Sequence, residues 1–201
     1  MTEARKIKEL DSDKIIKVFD VFDENNTCYY TMEYIDGCNL HEYVKNKIRL
    51  KEEEAIRIIR SVGESLKIMH DRNTNHFDVK PKNIMMSNDG RIVLIDFGAA
   101  HHCNNDYENN TYLAYRSIGY SAPYIPQDKG YYLFSPTYDI YSLGATLYFM
   151  LTGLEPIDYT DDSCPPFLKN TKSWGCIKMS LSRNRDECPK SVDEFLAMLP
   201  S

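Results

Sequence analysis

Two short stretches carry groups able to move a phosphoryl group: His76-Phe77-Asp78-Val79-Lys80-Pro81-Lys82-Asn83, and Asp96-Phe97-Gly98 at the close of the apolar run Ile92-Val93-Leu94-Ile95. Asp78 can orient a hydroxyl and take up its proton, and Lys80 can neutralise a phosphate in transfer. Asn83 with Asp96 offers hard oxygen ligands for Mg2+. An Asp-Phe-Gly by itself is a turn that any strand end could carry. The joint pattern, a lysine two positions after the first aspartate and an asparagine three further on, fills every role of that mechanism at once.

Several elements must hold these groups. Ala55, Ile58, Ile59, Val62, Leu66 and Met69 fall on one stripe of a 3.6-residue period, which predicts a long amphipathic helix from Leu50 onward that delivers the chain to His76. Beyond it, Ile84 to Met86 and Arg91 to Ile95 flank Ser87-Asn88-Asp89-Gly90, a hairpin with glycine in its turn. Upstream, Thr2 to Leu10 reads as a helix end. The β-rich runs Ile15 to Phe22 and Thr27 to Met32 form a second hairpin around Asp23-Glu24-Asn25-Asn26. A polar segment spans Cys103 to Thr111, and helical patterns follow at Thr137 to Leu151 and Lys172 to Leu181. Ser191-Val192-Asp193-Glu194 opens the last helix as a capping box, serine and glutamate each satisfying the other's free N–H.

Composition narrows the classes. With 42% hydrophobic and 27% charged residues, the 201-residue chain can bury a core. A net charge of -6 without clustered Lys and Arg argues against nucleic acid as a partner. Six cysteines without a C-x-x-C pair suit free thiols in a reducing compartment. His101-His102-Cys103 are chain neighbours that do not converge easily on one ion, which favours a polar loop. No N-terminal signal and no long uncharged apolar run is present, so no membrane partner is expected and a cytoplasmic protein is.

The catalytic stretch and the Asp-Phe-Gly resemble, in composition, order and spacing, the catalytic loop and metal-binding turn of the eukaryotic-type Ser/Thr protein kinase family. Met32-Glu33-Tyr34-Ile35 looks like that family's gatekeeper and hinge, with Met85 on the pocket floor. Ser121-Ala122-Pro123 resembles the turn ending its activation segment, and Asp139 to Gly144 resembles its central buried helix. The resemblance implies an α+β, protein kinase-like fold, with residues 1–33 as a residual small lobe and residues 34–201 as a mainly helical large lobe. It further implies transfer of the ATP γ-phosphate to Ser or Thr of a protein substrate. In that reading Asp78 and Lys80 are catalytic, Asn83 and Asp96 bind Mg2+, and Met32, Glu33, Ile35 and Met85 line the nucleotide site. Lys80 points to Ser and Thr rather than Tyr as acceptor.

Departures from the family pattern carry equal weight. Before Glu33 there is neither a G-x-G-x-x-G loop nor a V-A-x-K strand, and Glu3, in the register of the glutamate that pairs with the missing lysine, has no counterpart. Without these groups activity should be impaired in the chain taken alone. Phe77 stands where the family carries arginine, Tyr124 where it carries the glutamate of the Ala-Pro-Glu turn, and Cys188 where it carries that glutamate's arginine partner. Losing both partners together is tolerable, whereas losing one strands a buried charge. The alternative is a non-catalytic, pseudokinase-like binding module. Either way, the uncovered strands predict self-association or pairing with a partner through residues 15–32.

Overall fold

The computed structural model describes residues 8, 10, 12–25, 27–102, 117–125, 134–157 and 159–200, without the side chains of Cys28 and His102. Most of the predicted helix end at Thr2 to Leu10, Glu3, Cys103 and the polar run to Thr111 lie outside the described residues.

The N-terminal hairpin forms as expected, from β1 (Val18–Glu24) and β2 (Thr27–Met32). Phe22 pairs with Tyr29 and Val21 with Tyr30, and a register shift falls between Val18 and Asp20. Asn25 enters the turn at φ 50°, a left-handed conformation that asparagine tolerates better than most residues. The base of the hairpin is stitched into the rest of the fold. Leu94 of β6 (Ile92–Leu94) donates its N–H to the Lys14 carbonyl at 2.9 Å, and its own carbonyl accepts from Ile16 at 3.0 Å. Ile15 and Ile16 are consequently buried.

A second sheet supports the chemistry. β3 (Gly37–Asn39), β5 (Ile84–Ser87) and β6 lie in that order, antiparallel, with Asn39 opposite Met85 and Met85 opposite Val93. Gly37 is required where β3 crosses β5, because a Cβ there would strike the Met86 carbonyl. A short pair, β4 (Thr74–Asn75) with β7 (His101–His102), joins the chain just before the catalytic stretch to the chain just after Asp96-Phe97-Gly98.

The helices build the core. α1 (Leu40–Lys47) escapes the sequence reading: it buries only Leu40 and Val44, too few apolar positions for a periodic signal. Its N-cap is nevertheless regular, Asn39 Oδ1 accepting from the Glu42 N–H at 2.9 Å. α2 (Glu52–His70) buries the predicted stripe, with Glu52, Glu53 and Glu54 in its first turn and Lys67 and His70 in its last, charges that complement the helix dipole. α3 (Pro136–Thr152) is buried on all sides and forms the axis of the fold. It meets α5 (Trp174–Ser180) closely at Gly144, where a Cβ would lie 2.5 Å from that of Ser180. The short α4 (Pro166–Lys169) precedes α5, and α6 (Val192–Ala197) closes the chain against α2.

The capping box is half as predicted. Ser191 Oγ accepts from the Glu194 N–H at 3.1 Å, but Glu194 Oε2 takes the N–H of Lys190, the residue before the N-cap, instead of that of Ser191. Among the described residues no helix is long and apolar enough to cross a membrane.

Candidate active site

Asp139, at the start of α3, organises the catalytic stretch from beneath. Its carboxylate is wholly buried: Oδ1 accepts the Phe77 N–H at 2.8 Å, and Oδ2 accepts the His76 N–H at 2.9 Å, the Asn75 amide at 3.0 Å and His70 Nε2 at 2.8 Å. A buried charge persists only when paired in this way. Burial pushes the carboxyl up, but His70, His76 and the Asn75 amide outweigh it and hold the group below its ordinary range. The bond at Oδ1 also fixes Phe77 at φ 62°, a conformation unfavourable for a bulky residue, with its ring against Tyr138 at 5.6 Å.

Above this floor, Asp78 is ringed by donors. Lys80 Nζ lies 3.0 Å from Oδ1 and 2.8 Å from Oδ2, Ser117 Oγ donates to Oδ1 at 2.6 Å, and Asn83 Nδ2 donates to Oδ2 at 2.9 Å. Lys80 also reaches Ser117 Oγ at 2.9 Å. A carboxylate offers about four lone-pair sites, and here each is filled by the protein. A further hydroxyl could therefore reach Asp78 only by replacing one of these donors. Lys80 is the member free to swing, its stem being a flexible chain.

The β5–β6 ladder brings Asp96 to the same place. The Asn83 carbonyl accepts the Ile95 N–H at 2.9 Å, so the two oxygen-bearing residues stand at neighbouring strand ends. Asn83 turns its amide nitrogen to the Asp78 carbonyl and carboxylate, leaving Oδ1 for another partner. Asp96 is exposed at φ 61°, with Oδ1 accepting the Gly98 N–H at 3.2 Å. One amide oxygen and one carboxylate are what a Mg2+ ion shared with phosphates requires, since that ion keeps several ligands from water or substrate. Among the described residues no group of three His, Cys, Asp or Glu is arranged to hold a metal by itself.

His76 locks the two loops together. Its Nδ1 accepts the Asp78 N–H and its Nε2 lies 3.3 Å from the Ile95 carbonyl, while Phe97 packs on the ring at 5.0 Å. Complete burial drives its pKa down despite the carboxylates around it. The neutral tautomer with the proton on Nε2 satisfies both bonds.

Of the predicted nucleotide residues, Met32 ends β2, Glu33 and Ile35 follow it, and Met85 lies in β5. Met32 is exposed, Ile35 buried and Met85 half-buried. The Glu33 N–H goes to the Lys17 carbonyl at 2.9 Å, and its side chain accepts from Lys17 N at 3.0 Å and from Arg91 at 3.4 Å. Glu33 thus ties the hairpin to the strand beside Asp96.

Residues 1–199 match the family of the protein kinase domain. The chain belongs to the protein kinase family. It is 35% identical over 156 residues to a probable serine/threonine-protein kinase of Clostridium perfringens, covering 78% of this chain and 22% of that protein. It is 32% identical to the serine/threonine-protein kinase PrkC of Bacillus subtilis, covering 78% of this chain and 24% of PrkC. Sperm motility kinase 2B of Mus musculus is 30% identical over 79% of this chain and 32% of its own length. The chain thus spans less than a third of the length of these relatives.

Within this kinase fold the two substituted positions meet. Tyr124 OH lies 3.3 Å from Cys188 Sγ and donates to the Thr137 carbonyl at 3.0 Å. A neutral contact occupies the place that the sequence resemblance gives to an ion pair. Burial raises both the phenol and the thiol above their ordinary values. Ser117, His70 and Asn75 are the site residues that sequence reasoning missed. The one available signal for Ser117 was a hydroxyl four residues before Ser121-Ala122-Pro123, and no spacing rule links it to Asp78, 39 positions away.

Proposed function

We propose that this chain transfers the γ-phosphate of ATP, with Mg2+, to a Ser or Thr hydroxyl of a protein substrate, slowly when it acts alone. The observation that carries this reading is the ring of Lys80, Ser117 and Asn83 around the Asp78 carboxylate. In the reaction the acceptor oxygen forms a bond to the γ-phosphorus as the bond to the β-phosphate oxygen breaks and ADP departs. Asp78 orients the hydroxyl and receives its proton; Lys80 turns from Asp78 to the charge of the transferring group. Asn83 Oδ1 and Asp96 would hold Mg2+, which supplies charge neutralisation at the phosphates. Met32, Glu33, Ile35 and Met85 would line the adenine side.

In this reading residues 1–33 are the residual small lobe and residues 34–201 the large lobe. Slow turnover is expected of residues 1–201 taken alone, because they include neither a G-x-G-x-x-G loop nor a V-A-x-K lysine before Glu33. A cytoplasmic setting suits the free thiols of Cys38, Cys164, Cys176 and Cys188. The hairpin supports a further part of the reading, association of residues 15–32 with a second copy or a partner, because Phe19, Phe22, Tyr29, Tyr30 and Met32 are all exposed there.

Incubation with Mg2+ and γ-labelled ATP, using a mixture of Ser- and Thr-containing peptides, tests the proposal. Weak transfer is expected, falling about 100-fold or more in Asp78→Asn and in Asp96→Ala. Transfer that survives Asp78→Asn unchanged would assign the labelling to a contaminant and overturn the reading.

A further inference from the structure

Glu155, on the segment after α3, receives hydrogen bonds from two elements far apart in sequence. His41 Nε2 of α1 lies 3.2 Å from Oε1, and Tyr120 OH donates to Oε2 at 2.8 Å. A carboxylate only accepts, so the His41 tautomer is fixed with its proton on Nε2. The His41 ring is itself held, stacked on Phe149 of α3 at 5.3 Å and 7°.

Tyr120 ends the loop that carries Ser117. Its N–H goes to the Ser117 carbonyl at 3.0 Å, its carbonyl accepts from buried Ser142 at 2.8 Å, and the Ser117 N–H goes to Ser121 Oγ at 3.0 Å. Gly119, at φ 82°, lies directly on the Pro156–Ile157 backbone. The loop is therefore anchored at its backbone by α3 and at its one buried hydroxyl by Glu155. Burial and the carboxylate raise the Tyr120 phenol well above its ordinary value, so the hydroxyl acts as donor.

The geometry points to Glu155 as a positioning residue: a tether from α1, through His41, to the 117–121 loop, which sets where Ser117 meets Asp78 and Lys80. It rests on the kinase reading in assigning Ser117 to the substrate side of the site. α1 follows β3, the strand after Glu33 and Ile35, so the tether links the nucleotide side of the molecule to the peptide side. Ile118, next to Ser117 on the same loop, has 76% of its surface exposed.

The test uses the full chain with His41→Phe, which keeps the ring on Phe149 and deletes Nε2, together with Tyr120→Phe, Glu155→Gln and Glu155→Ala. Amide hydrogen exchange reads the loop without any need for catalysis. Residues 117–121 are expected to exchange about fivefold faster in His41→Phe, Tyr120→Phe and Glu155→Ala, with the unfolding midpoint of His41→Phe unchanged. Glu155→Gln, which can still bridge the two partners, should retain protection. The double variant His41→Phe with Tyr120→Phe should be no faster than Tyr120→Phe alone, as for links in series. In peptide phosphorylation the same variants should raise KM about fivefold and leave kcat within about twofold. Loop exchange in His41→Phe equal to the parent overturns the tether. Absence of phosphotransfer in the parent, with exchange changed as expected, overturns the kinase reading and leaves the tether standing.

Discussion

The buried carboxylate of Asp139 is the residue on which the site geometry depends. Asp139→Ala removes the acceptor for two backbone N–H groups, an amide and His70 at once, and is expected to cost on the order of 3 to 5 kcal/mol in urea unfolding. The Tyr124–Cys188 contact offers a sharper test of how the family's ion pair was lost. Cys188→Arg alone places a guanidinium among buried groups and should destabilise by on the order of 3 kcal/mol; adding Tyr124→Glu should recover most of it. A double variant destabilised by the sum of the effects of Cys188→Arg and Tyr124→Glu measured singly would show that the two positions are independent. These two positions were legible in the sequence because each departs from a pattern with fixed spacing. Ser117 was not, since its partners are set by how a loop folds back and not by local spacing.

At the scale of elements, α2 and α3 were readable because long apolar periodicity survives any detail of packing. α1 was not, and with it went His41. The N-terminal hairpin was readable in outline, but its burial was not. Of the apolar residues expected to be uncovered, Ile15, Ile16 and Val18 are buried against the main body, whereas Phe19, Phe22, Tyr29 and Tyr30 are exposed. Phe22 and Tyr29 stack at 5.6 Å across the strands. A Lys at Val18 would therefore report core damage, and the informative substitutions are Phe22→Lys and Tyr29→Lys. Light scattering across a concentration series should show association of the parent that these two changes abolish without lowering its melting temperature by more than a few degrees. A parent that is monomeric throughout would remove the hairpin from consideration as an interface.

For the whole molecule, two buried groups set the response to acid. His76 is neutral in the fold with its pKa pushed below 6.5 by burial, so the unfolded chain takes up the proton first as pH falls. Its contribution is full above about 6.5 and is lost as pH drops toward the folded-state value. Asp139, held below 3.8, contributes fully above that value and loses its contribution only as pH falls through the lower, folded one. Urea midpoints measured downward from neutral pH should decline in two separated stages, and His76→Gln should flatten the upper stage alone. A single stage near pH 4 in the parent would contradict the assignment to His76.

The stitching of Leu94 gives the hairpin a second meaning. Leu94 is gripped on one side by Ile84 and on the other by Lys14 and Ile16, and it lies two residues before Asp96. Whatever seizes the projecting strands would thus pull on a lever whose short arm ends at Asp96, the carboxylate proposed to hold Mg2+. Thermodynamic reciprocity would then work in both directions: an occupant of the hairpin that favours the setting of Asp96 preferred by a Mg2+-bound nucleotide would raise the affinity for that nucleotide, and the nucleotide would recruit the occupant by the same factor.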